Sequence, residues 1–499
     1  MSSARQRVPQ GVVSGQTARA ELAQCSACCC VNRQNVRMVS APSVSSSITA
    51  RLEVIARPTA VSELTTAIER EGGIVTALDV TASGHEHMTV DVTCATRGEE
   101  HAAQIVDALR ILPGVVVDRV SDRTFLMHLG GKLSIESKVP LRNRDDLSMA
   151  YTPGVARVCL AIAAHPEDAR RLTIKRNTIA VVTDGTAVLG LGNLGPLAAL
   201  PVMEGKAVLF KRFAGIDAFP IALDTTDVDQ IVETVCAIAP VFAGINLEDI
   251  SAPRCFEVER RLRERLDIPV FHDDQHGTAI VVVAALTNAL KVVHKDIGAV
   301  RIVLSGAGAA GTAVLKLLIA AGARDIVVAD IDGVVHSARP WLAPSLVWTA
   351  EHTNPHGVTG TLRAALTGAD VFIGVSAPDI LTGDDVATMA ADSVVFALAN
   401  PRPEVDPDEA ALHAAVVGTG RSDFANQINN VLAFPGVFRG LLDSQSHKVT
   451  EALLLAAARA LASVVTDTEL NPTYIVPSVF HPDVTAVVAA AVAEAARAQ

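Results

Sequence analysis

A glycine-rich turn, Gly306-Ala-Gly-Ala-Ala-Gly311, joins a predicted strand to a predicted helix and leaves few folds open to this chain. The apolar run Val300–Ser305 before it is typical of a buried parallel strand, and helical spacing continues to Ala321. A second strand, Asp325–Asp330, then ends in an acid. The first glycine permits a tight turn, the second admits a pyrophosphate and the third packs helix on strand. The pattern predicts a Rossmann-type α/β domain that binds a dinucleotide.

The type of dinucleotide is predicted from the end of the second strand. Asp330 is expected to accept hydrogen bonds from the adenosine ribose hydroxyls and to repel a 2′-phosphate, which favours NAD over NADP. No basic residue occurs in Ile331–Gly333, which points the same way. One acidic residue does not settle the preference, so NADP stays open. Further contacts are expected where later strands end. The predicted cofactor-binding residues are Gly306, Gly308, Ala309, Ala310, Gly311, Asp330, Ser376 and Asn400.

Composition excludes several classes of function. The 499 residues carry 42 basic and 54 acidic side chains, a net charge of −12, which argues against a nucleic-acid-binding surface. Eight cysteines are too few for a disulfide framework at this length. We expect no membrane span and no signal peptide, since long uninterrupted apolar runs are lacking. A cytoplasmic protein is therefore predicted. The Cys25–Cys30 cluster has no metal-ligand partner pair, and Met38 is an alternative start.

Five regions are predicted along the chain. Residues 1–48 lack periodicity and are interpreted as a flexible tail. Residues 49–130 have the βαββαβ order of a ferredoxin-like fold and resemble an ACT domain, a module that binds small regulatory ligands. The alternative for this region is a structural or dimerising appendage. An α/β substrate and metal domain (131–292), the Rossmann domain (293–447) and C-terminal helices that pack back on the catalytic domain (448–499) follow.

Two pairs of adjacent acids predict a metal site. Glu248-Asp249 and Asp273-Asp274 each lie next to an apolar, strand-like segment. Clustered carboxylates repel one another unless a cation or a shared proton relieves them. Oxygen ligands of this kind suit Mg²⁺ or Mn²⁺ rather than zinc. The alternative is two unrelated solvated loop ends.

Seven motifs in a fixed order extend this interpretation. They are Tyr151–Ala156, Thr183–Gly195, Pro201–Lys211, Glu248-Asp249, His272–Thr278, Asn400-Pro401 and Asn426–Gly436. From about residue 132 to the end, this set resembles the malic enzymes in their short bacterial form. The resemblance implies oxidative decarboxylation of L-malate to pyruvate and CO₂ with reduction of NAD. It also implies dependence on a divalent metal and, as base rates do, a homodimer or higher homo-oligomer.

Residue roles follow from the chemistry and from this resemblance. Lys206 is the expected base for the malate hydroxyl, because a lysine in an apolar setting has a lowered pKa. By resemblance, Lys206 is the catalytic lysine and Glu248, Asp249 and Asp274 are the metal ligands. Asp273 is expected to hold Lys206 and tune its proton affinity.

The remaining assignments rest on the resemblance alone. Tyr151 matches the general acid that protonates enolpyruvate, and its Tyr-Thr-Pro-Gly context predicts a turn. Asn429 and Asn430 are the predicted substrate-binding residues, where amide groups add no charge. Ala187 stands where larger members carry an arginine. Arg421 and Lys211 are the two candidates to replace that cation.

Four alternatives remain open from the sequence. Within the family these are an enzyme that prefers NADP and a malolactic enzyme, which retains NADH and releases lactate. Outside it, a non-catalytic ACT-type effector sensor would leave the catalytic half inert. An amino-acid dehydrogenase also couples a substrate domain to a Rossmann domain, but needs no carboxylate metal site. The expected partners are L-malate and a small effector, without nucleic acid or membrane.

Overall fold

The computed structural model describes residues 42–499, and the chain divides into two compact units, Met1–Leu126 and Met127–Gln499. Most of the predicted tail, with the Cys25–Cys30 cluster and Met38, lies outside the described residues. The first strand begins at Ser43, so regular structure starts before residue 48, where the tail was predicted to end.

The first unit has the predicted βαββαβ order. Its elements are β1 (Ser43–Ile55), α1 (Ala60–Arg70), β2 (Ile74–Ser83), β3 (His87–Thr96), α2 (Glu99–Ile111) and β4 (Val115–Asp122). The sheet order is β2-β3-β1-β4 with antiparallel pairing throughout, which is the ferredoxin-like arrangement. Alternate β1 residues such as Leu52 and Val54 are buried under the apolar faces of the two helices, with Leu64, Ile68 and Ile105.

The second unit begins with a helical region and a parallel sheet. The helices are α3 (Arg123–His128), which starts just before the unit boundary, α4 (Arg144–Ala150), α5 (Val155–Ala164) and α6 (Ala169–Leu172). The elements that follow are β5 (Thr178–Thr183), α7 (Pro196–Ala214), β6 (Asp217–Ala222), α8 (Val228–Ile238), β7 (Gly244–Leu247), α9 (Arg254–Arg265), β8 (Val270–His272) and α10 (Asp273–Val292). The sheet has the order β6-β5-β7-β8, and its strands are fully parallel.

The rest of the second unit is the predicted Rossmann sheet and its helices. The elements are β9 (Arg301–Ser305), α11 (Ala309–Ala321), β10 (Asp325–Asp330), β11 (Gly333–Val334), α12 (Pro344–His352), α13 (Leu362–Leu366), β12 (Val371–Gly374), α14 (Gly383–Val386), β13 (Val394–Ala397), α15 (Pro407–Ala410), β14 (Val416–Thr419), α16 (Phe434–Ser444), α17 (Glu451–Ser463) and α18 (Val484–Arg497). The sheet order is β11-β10-β9-β12-β13-β14, with only β11 antiparallel.

One apolar core joins the two sheets of the second unit. It runs from Ile179 and Phe271 through α10 to Ile302 and Val488. Helix α10 packs against α11 and α17, and α18 packs against α16 and α17. Because α10 is buried along most of its length, its sequence contains the uninterrupted apolar run Ala279–Leu286.

Helices α4 and α5 contrast with this core, because neither contains a buried residue. The stretch Arg144–Ala164 is long and apolar enough to cross a membrane by composition, with a mean hydropathy of 1.4. The turn at Tyr151–Gly154 breaks it into helices of 7 and 10 residues, however. Each is shorter than the roughly 20 residues that a transmembrane helix needs.

Candidate active site

The two acidic pairs are brought together by neighbouring strands. Glu248 and Asp249 directly follow β7, and Asp273 and Asp274 directly follow β8. Strands β7 and β8 are parallel, with Leu247 opposite His272. Since parallel strands end at the same edge of the sheet, the four carboxylates meet there.

Three of these carboxylates form a group that suits a metal ion. One oxygen each from Glu248, Asp249 and Asp274 lies within 4.8 Å of the others. The Asp249 backbone N–H donates to Asp274 Oδ2 at 2.8 Å, and Asp249 Oδ2 is buried without a hydrogen-bond partner. Burial and mutual repulsion raise the pKa of Asp249 to about 8, and burial raises those of Glu248 and Asp274 to about 7 and about 6. Such a group of oxygens fits a hard divalent cation, Mg²⁺ or Mn²⁺.

Lys206 on α7 reaches into this cluster from the facing helix. Its side chain is 7% exposed, with Nζ 2.6 Å from Asp273 Oδ2 and 2.9 Å from Glu248 Oε1. The ammonium also lies 4.3 Å from the centre of the Phe434 ring. Burial alone lowers the pKa of Lys206, but Asp273 and Glu248 outweigh burial and raise it above its ordinary value. The predicted lowering of this pKa is therefore wrong for these contacts, because carboxylates as well as apolar groups surround the lysine.

Asp273 is the point where Lys206 and a predicted substrate residue meet. Its Oδ2 also accepts a hydrogen bond from Asn430 Nδ2 at 2.5 Å. Burial raises the pKa of Asp273 to about 7 despite Lys206. Asn429 instead accepts from the Val431 backbone N–H at 3.0 Å and caps the turn that carries Asn430. The structure thus joins Asp273, Lys206 and Asn430, with Asn429 supporting them through the backbone.

A glycine makes room for the Asp273 carboxylate. A Cβ atom at Gly277, one helical turn further along α10, would lie 1.9 Å from Asp273 Oδ1. The Asp273 carboxylate occupies the space that a side chain at position 277 would otherwise fill. The sequence shows this glycine in His-Gly-Thr, but spacing alone does not reveal its role.

Three supporting residues were not predicted from the sequence. Asn246 Nδ2 donates to Glu248 Oε2 at 2.8 Å, because both side chains point to the same face of the β7 edge. Arg254 contacts Thr186 Oγ1 at 2.9 Å and Asp184 Oδ2 at 3.0 Å, and so fixes the Asp184-Gly185 turn. Phe434 completes the set beneath Lys206. Arg254 is distant in sequence from the turn that it contacts. Asparagine and phenylalanine are too common as residue types for Asn246 and Phe434 to stand out.

The two cations suggested to replace an arginine at Ala187 are engaged elsewhere. Lys211 Nζ lies 2.6 Å from Asp217, and Arg421 pairs with Asp423. Ala187 itself donates its backbone N–H to the Asp249 carbonyl at 3.0 Å. Within residues 42–499, Arg254 is instead the guanidinium bound to the turn beside Ala187.

Tyr151 does not join the cluster. It lies on the predicted turn between α4 and α5 and is 69% exposed. Over the described part of the chain, no hydrogen bond links its hydroxyl to Lys206 or to the acidic residues. Its assignment as the general acid stays a prediction.

The glycine-rich turn has the geometry that its three glycines predict. Gly306 has φ +109°, and a Cβ there would lie 2.6 Å from the Val375 carbonyl oxygen. A Cβ at Gly311 would lie 1.9 Å from the Gly306 carbonyl oxygen, so only glycine lets α11 pack this closely. Gly308 faces open space, and Ala309 and Ala310 start α11. The free N–H groups of this helix N-terminus suit a pyrophosphate.

Asp330 has a basic partner that the local sequence does not show. Arg339 donates to its two carboxylate oxygens at 2.9 and 2.8 Å and contacts Asp332 at 3.0 Å. The chain leaves β10, turns through β11 and returns the arginine to the strand end. Ile331–Gly333 contains no basic residue, but Arg339 places a cation at this strand end all the same.

Ser376 and Asn400 lie at the ends of adjacent strands, as predicted. Buried Glu404 accepts the backbone N–H groups of Ser376 at 2.8 Å and Ala399 at 3.0 Å. It therefore fixes the carboxyl ends of β12 and β13 relative to each other. A Cβ at Gly190 would lie 2.6 Å from the Asn400 carbonyl oxygen, so the loop after β5 contacts this edge of the Rossmann sheet.

Together, the Rossmann sheet and the lysine beside a carboxylate metal site define an oxidoreductase that uses a nicotinamide dinucleotide and a divalent metal. Residues 130–263 match the family described as malic enzyme, N-terminal domain, and residues 275–497 match malic enzyme, NAD binding domain. The chain therefore belongs to the malic enzyme family.

Relatives and solved structures agree with this assignment. The NAD-dependent malic enzyme of Geobacillus stearothermophilus is 56% identical over 450 residues, 90% of this chain and 94% of that protein. The bifunctional malic/malolactic enzyme of Bacillus subtilis is 55% identical over 73% of this chain and 90% of its own. The crystal structure of an NAD-dependent malic enzyme from Thermotoga maritima has 47% identity and a TM-score of 0.72, covering 75% and 99% of the two chains.

Proposed function

We propose that this chain oxidatively decarboxylates L-malate to pyruvate and CO₂, with NAD as the hydride acceptor and Mg²⁺ or Mn²⁺ as the metal. The observation that carries the proposal is Lys206 Nζ, held between Asp273 and Glu248 beside three carboxylates suited to a metal. Membership of the malic enzyme family supports it.

The first chemical step is removal of the hydroxyl proton of malate. Lys206 accepts this proton as the neutral amine, so its ammonium must first pass a proton to a neighbouring carboxylate, and Asp273 lies 2.6 Å from its Nζ. The turn at Gly306–Gly311 and the strand ends at Ser376 and Asn400 would hold NAD, which when bound would supply the acceptor for the hydride on C2. Asn430 donates to the same Asp273 oxygen that contacts Lys206, so a substrate that contacts this amide is aligned with Lys206.

The second step is loss of CO₂ from the resulting 3-oxo acid. Glu248, Asp249 and Asp274 would hold the divalent ion, which supplies Lewis-acid stabilisation of charge on the C2 oxygen. Asn246 orients Glu248 and the Asp249 backbone orients Asp274, so the ligand set is preorganised. Enolpyruvate then takes a proton at carbon, and Tyr151 is the proposed donor.

We propose that a second copy of the chain supplies Tyr151 to each site. Helices α4 and α5 expose Leu147, Met149 and Leu160, with Tyr151 at their turn. The loop beside the metal ligands also exposes apolar groups, of which Leu189 donates a backbone hydrogen bond to Asp249. One chain thus carries two exposed apolar surfaces, the α4–α5 pair and the loop at Leu189 beside the site. An isologous dimer requires both surfaces on the same chain.

Mixing two inactive variants tests this arrangement. Tyr151→Phe and Lys206→Ala should each be inactive, whereas a 1:1 mixture after subunit exchange should recover up to about a quarter of wild-type activity. That recovery arises because half of the dimers are mixed and each holds one intact site. No recovery, in a mixture shown by mass to contain heterodimers, would contradict a shared site.

NADP is a second candidate cofactor, and Arg339 is the observation that favours it. A guanidinium beside the ribose position can accommodate a 2′-phosphate, while its ion pair with Asp330 favours NAD. The NADP-dependent malic enzyme of Escherichia coli is 47% identical over 73% of this chain and 50% of that protein. We favour NAD, because Arg339 is held by Asp330 and Asp332 together.

The malolactic reaction is a second candidate activity. It is favoured by the 55% identity to the bifunctional malic/malolactic enzyme. In this reaction NADH is not released, and lactate rather than pyruvate accumulates. Measuring pyruvate and lactate alongside free NADH distinguishes the two.

The direct test is absorbance at about 340 nm, where reduced nicotinamide absorbs, with L-malate, Mn²⁺ and either NAD or NADP. A metal-dependent signal with NAD that Lys206→Ala abolishes is expected. A signal mainly with NADP would overturn the interpretation of Asp330. Lactate without free NADH would favour the malolactic reaction, and no product at all would favour the non-catalytic sensor.

The first unit is proposed to bind a small effector, as an ACT-like domain. Its ferredoxin-like topology supports this, and the 450-residue match to the Geobacillus enzyme is too long for the second unit alone. Deleting residues 1–126 should abolish the response of malate turnover to the effector. Identical kinetics of the two proteins across candidate effectors would remove the regulatory role and favour a structural appendage.

A further inference from the structure

A buried carboxylate lies behind the metal-binding turn and takes no part in the reaction proposed above. Glu259 on α9 is almost fully buried. Its Oε1 accepts hydrogen bonds from the His272 backbone N–H at 3.2 Å and from His276 Nε2 at 2.8 Å. Its Oε2 accepts one from Gln275 Nε2 at 3.2 Å. Arg263, one turn along α9, lies 2.7 Å from the same carboxylate.

The partners of Glu259 flank the two acids that face the site. His272 precedes Asp273, and Gln275 and His276 follow Asp274. Arg263 also binds strand β8, because its Nε donates to the Val270 carbonyl at 3.0 Å. Helix α9 therefore holds the end of β8 and the first turn of α10 from the side opposite to Lys206.

Glu259 supplies a hydrogen-bond acceptor at the N-terminus of α10, which has no side-chain cap of its own. The residue before α10, His272, offers no side-chain hydrogen bond to cap the first turn. A carboxylate near a helix N-terminus interacts favourably with its free N–H groups and dipole. Burial alone raises the pKa of Glu259, but His276 and Arg263 outweigh it and hold the pKa at about 2, so the group is ionised. The charge is paired with Arg263 and adds little repulsion to the metal ligands.

We infer that Glu259, together with Arg263, is a positioning residue for the metal site and sets its affinity for the divalent cation. The inference rests on the metal site of the proposed function. Displacing the His272–His276 turn moves Asp274 away from Glu248 and Asp249, and moves Asp273 away from Lys206. Groups that orient metal ligands typically change metal affinity by about 10- to 100-fold when they are replaced.

Glu259→Gln is the variant that tests this inference. Every group around the carboxylate donates to it, and Glu259→Gln leaves one acceptor oxygen in place of two and removes the charge that pairs with Arg263. The matched control is Glu257→Gln, which removes a carboxylate of the same helix that pairs at the surface with Arg260. Mn²⁺ binding is measured on the full chain by the electron paramagnetic resonance signal of free Mn²⁺, without substrate or turnover. Tryptophan fluorescence establishes that each variant is folded.

The expected result is a Kd for Mn²⁺ at least about tenfold higher in folded Glu259→Gln, with Glu257→Gln unchanged. A folded Glu259→Gln that binds Mn²⁺ as tightly as wild type would overturn the positioning role and leave the proposed function intact. Wild type that fails to bind Mn²⁺ would overturn the metal site and the inference together. If Glu259→Gln does not fold, Gln275→Met removes one donor only. It should weaken Mn²⁺ binding about threefold, as expected for one hydrogen bond, and an unchanged Kd would refute the role.

Discussion

Replacing Gly277 by alanine should damage the active site through a single methyl group. The new Cβ would lie 1.9 Å from Asp273 Oδ1 and 3.2 Å from Asn430 Cβ, so the Asp273 carboxylate must rotate away. Lys206 then loses the partner that lies 2.6 Å from its Nζ, and Asn430 loses its acceptor. The change therefore separates the base from the group that aligns it.

The size of the effect follows from two opposing terms. Alanine in a helix interior is favoured over glycine by about 1 kcal/mol. Breaking a buried ion pair costs roughly 3–5 kcal/mol. The free energy of unfolding of the second unit should thus fall by about 2–4 kcal/mol. Because a displacement of about 1 Å at a catalytic group costs about 100-fold in rate, kcat should fall by that factor or more.

Gly205→Ala provides a matched control in α7, one residue before Lys206. A Cβ at Gly205 meets only the flexible end of Lys132, at 3.7 Å. This variant should gain about 0.5–1 kcal/mol in stability and keep wild-type kcat. Urea unfolding followed by tryptophan fluorescence reports on the second unit, since Trp341 and Trp348 both lie there. Equal stabilisation by both substitutions, with unchanged kcat for Gly277→Ala, would refute the packing of Asp273 over Gly277.

Three further results are expected. With a chelator present, the free energy of unfolding of the second unit should fall as pH rises from about 4 to 8, because the raised pKa values of Glu248, Asp249 and Asp274 let the folded state bind more protons than the unfolded chain. Saturating Mn²⁺ should reverse this dependence on pH, and thermal unfolding measured across the pH range checks both. Lys206→Met should abolish turnover but retain Mn²⁺ binding by paramagnetic resonance, whereas loss of binding would mean that the lysine organises the metal ligands. Arg339→Gln should change the ratio of kcat/KM for NAD to that for NADP, and an unchanged ratio would exclude Arg339 from cofactor choice.

The sequence was sufficient where a feature depends on local order. Gly306–Gly311 predicts its turn because the strand, the glycines and the helix are contiguous. The two acidic pairs were predicted to meet because each follows a strand, and the structure places them at one sheet edge. The βαββαβ order of the first unit is likewise local periodicity. In each case the prediction depends on the order of residues within a strand, a turn or a helix, and for the acidic pairs the pairing of β7 with β8 then brings the two strand ends together.

Features set by contacts between distant segments were missed. The environment of Lys206 depends on Asp273, 67 positions away, so its apolar sequence neighbours gave the wrong direction for its pKa. Arg339 reaches Asp330 only because the chain reverses through β11. Glu259 appears in a charged helix, and nothing in that pattern marks the one carboxylate that is buried. Tyr151 was assigned by resemblance, and one copy of the chain does not bring it to the site.

Helix α10 has a consequence for how this protein can be divided. Its first two residues, Asp273 and Asp274, belong to the site, while its residues from Ala279 onward help to fill the core that both sheets share. A cut near residue 292 would therefore leave neither half with a complete interior, although it falls between two sheets. The second unit is expected to unfold as a single cooperative block, and chimeras between relatives should exchange α10 together with α11 and α17. In this architecture the site acids Asp273 and Asp274 and the central core helix of the unit are one continuous segment, so a change in the packing of the interior also moves the site.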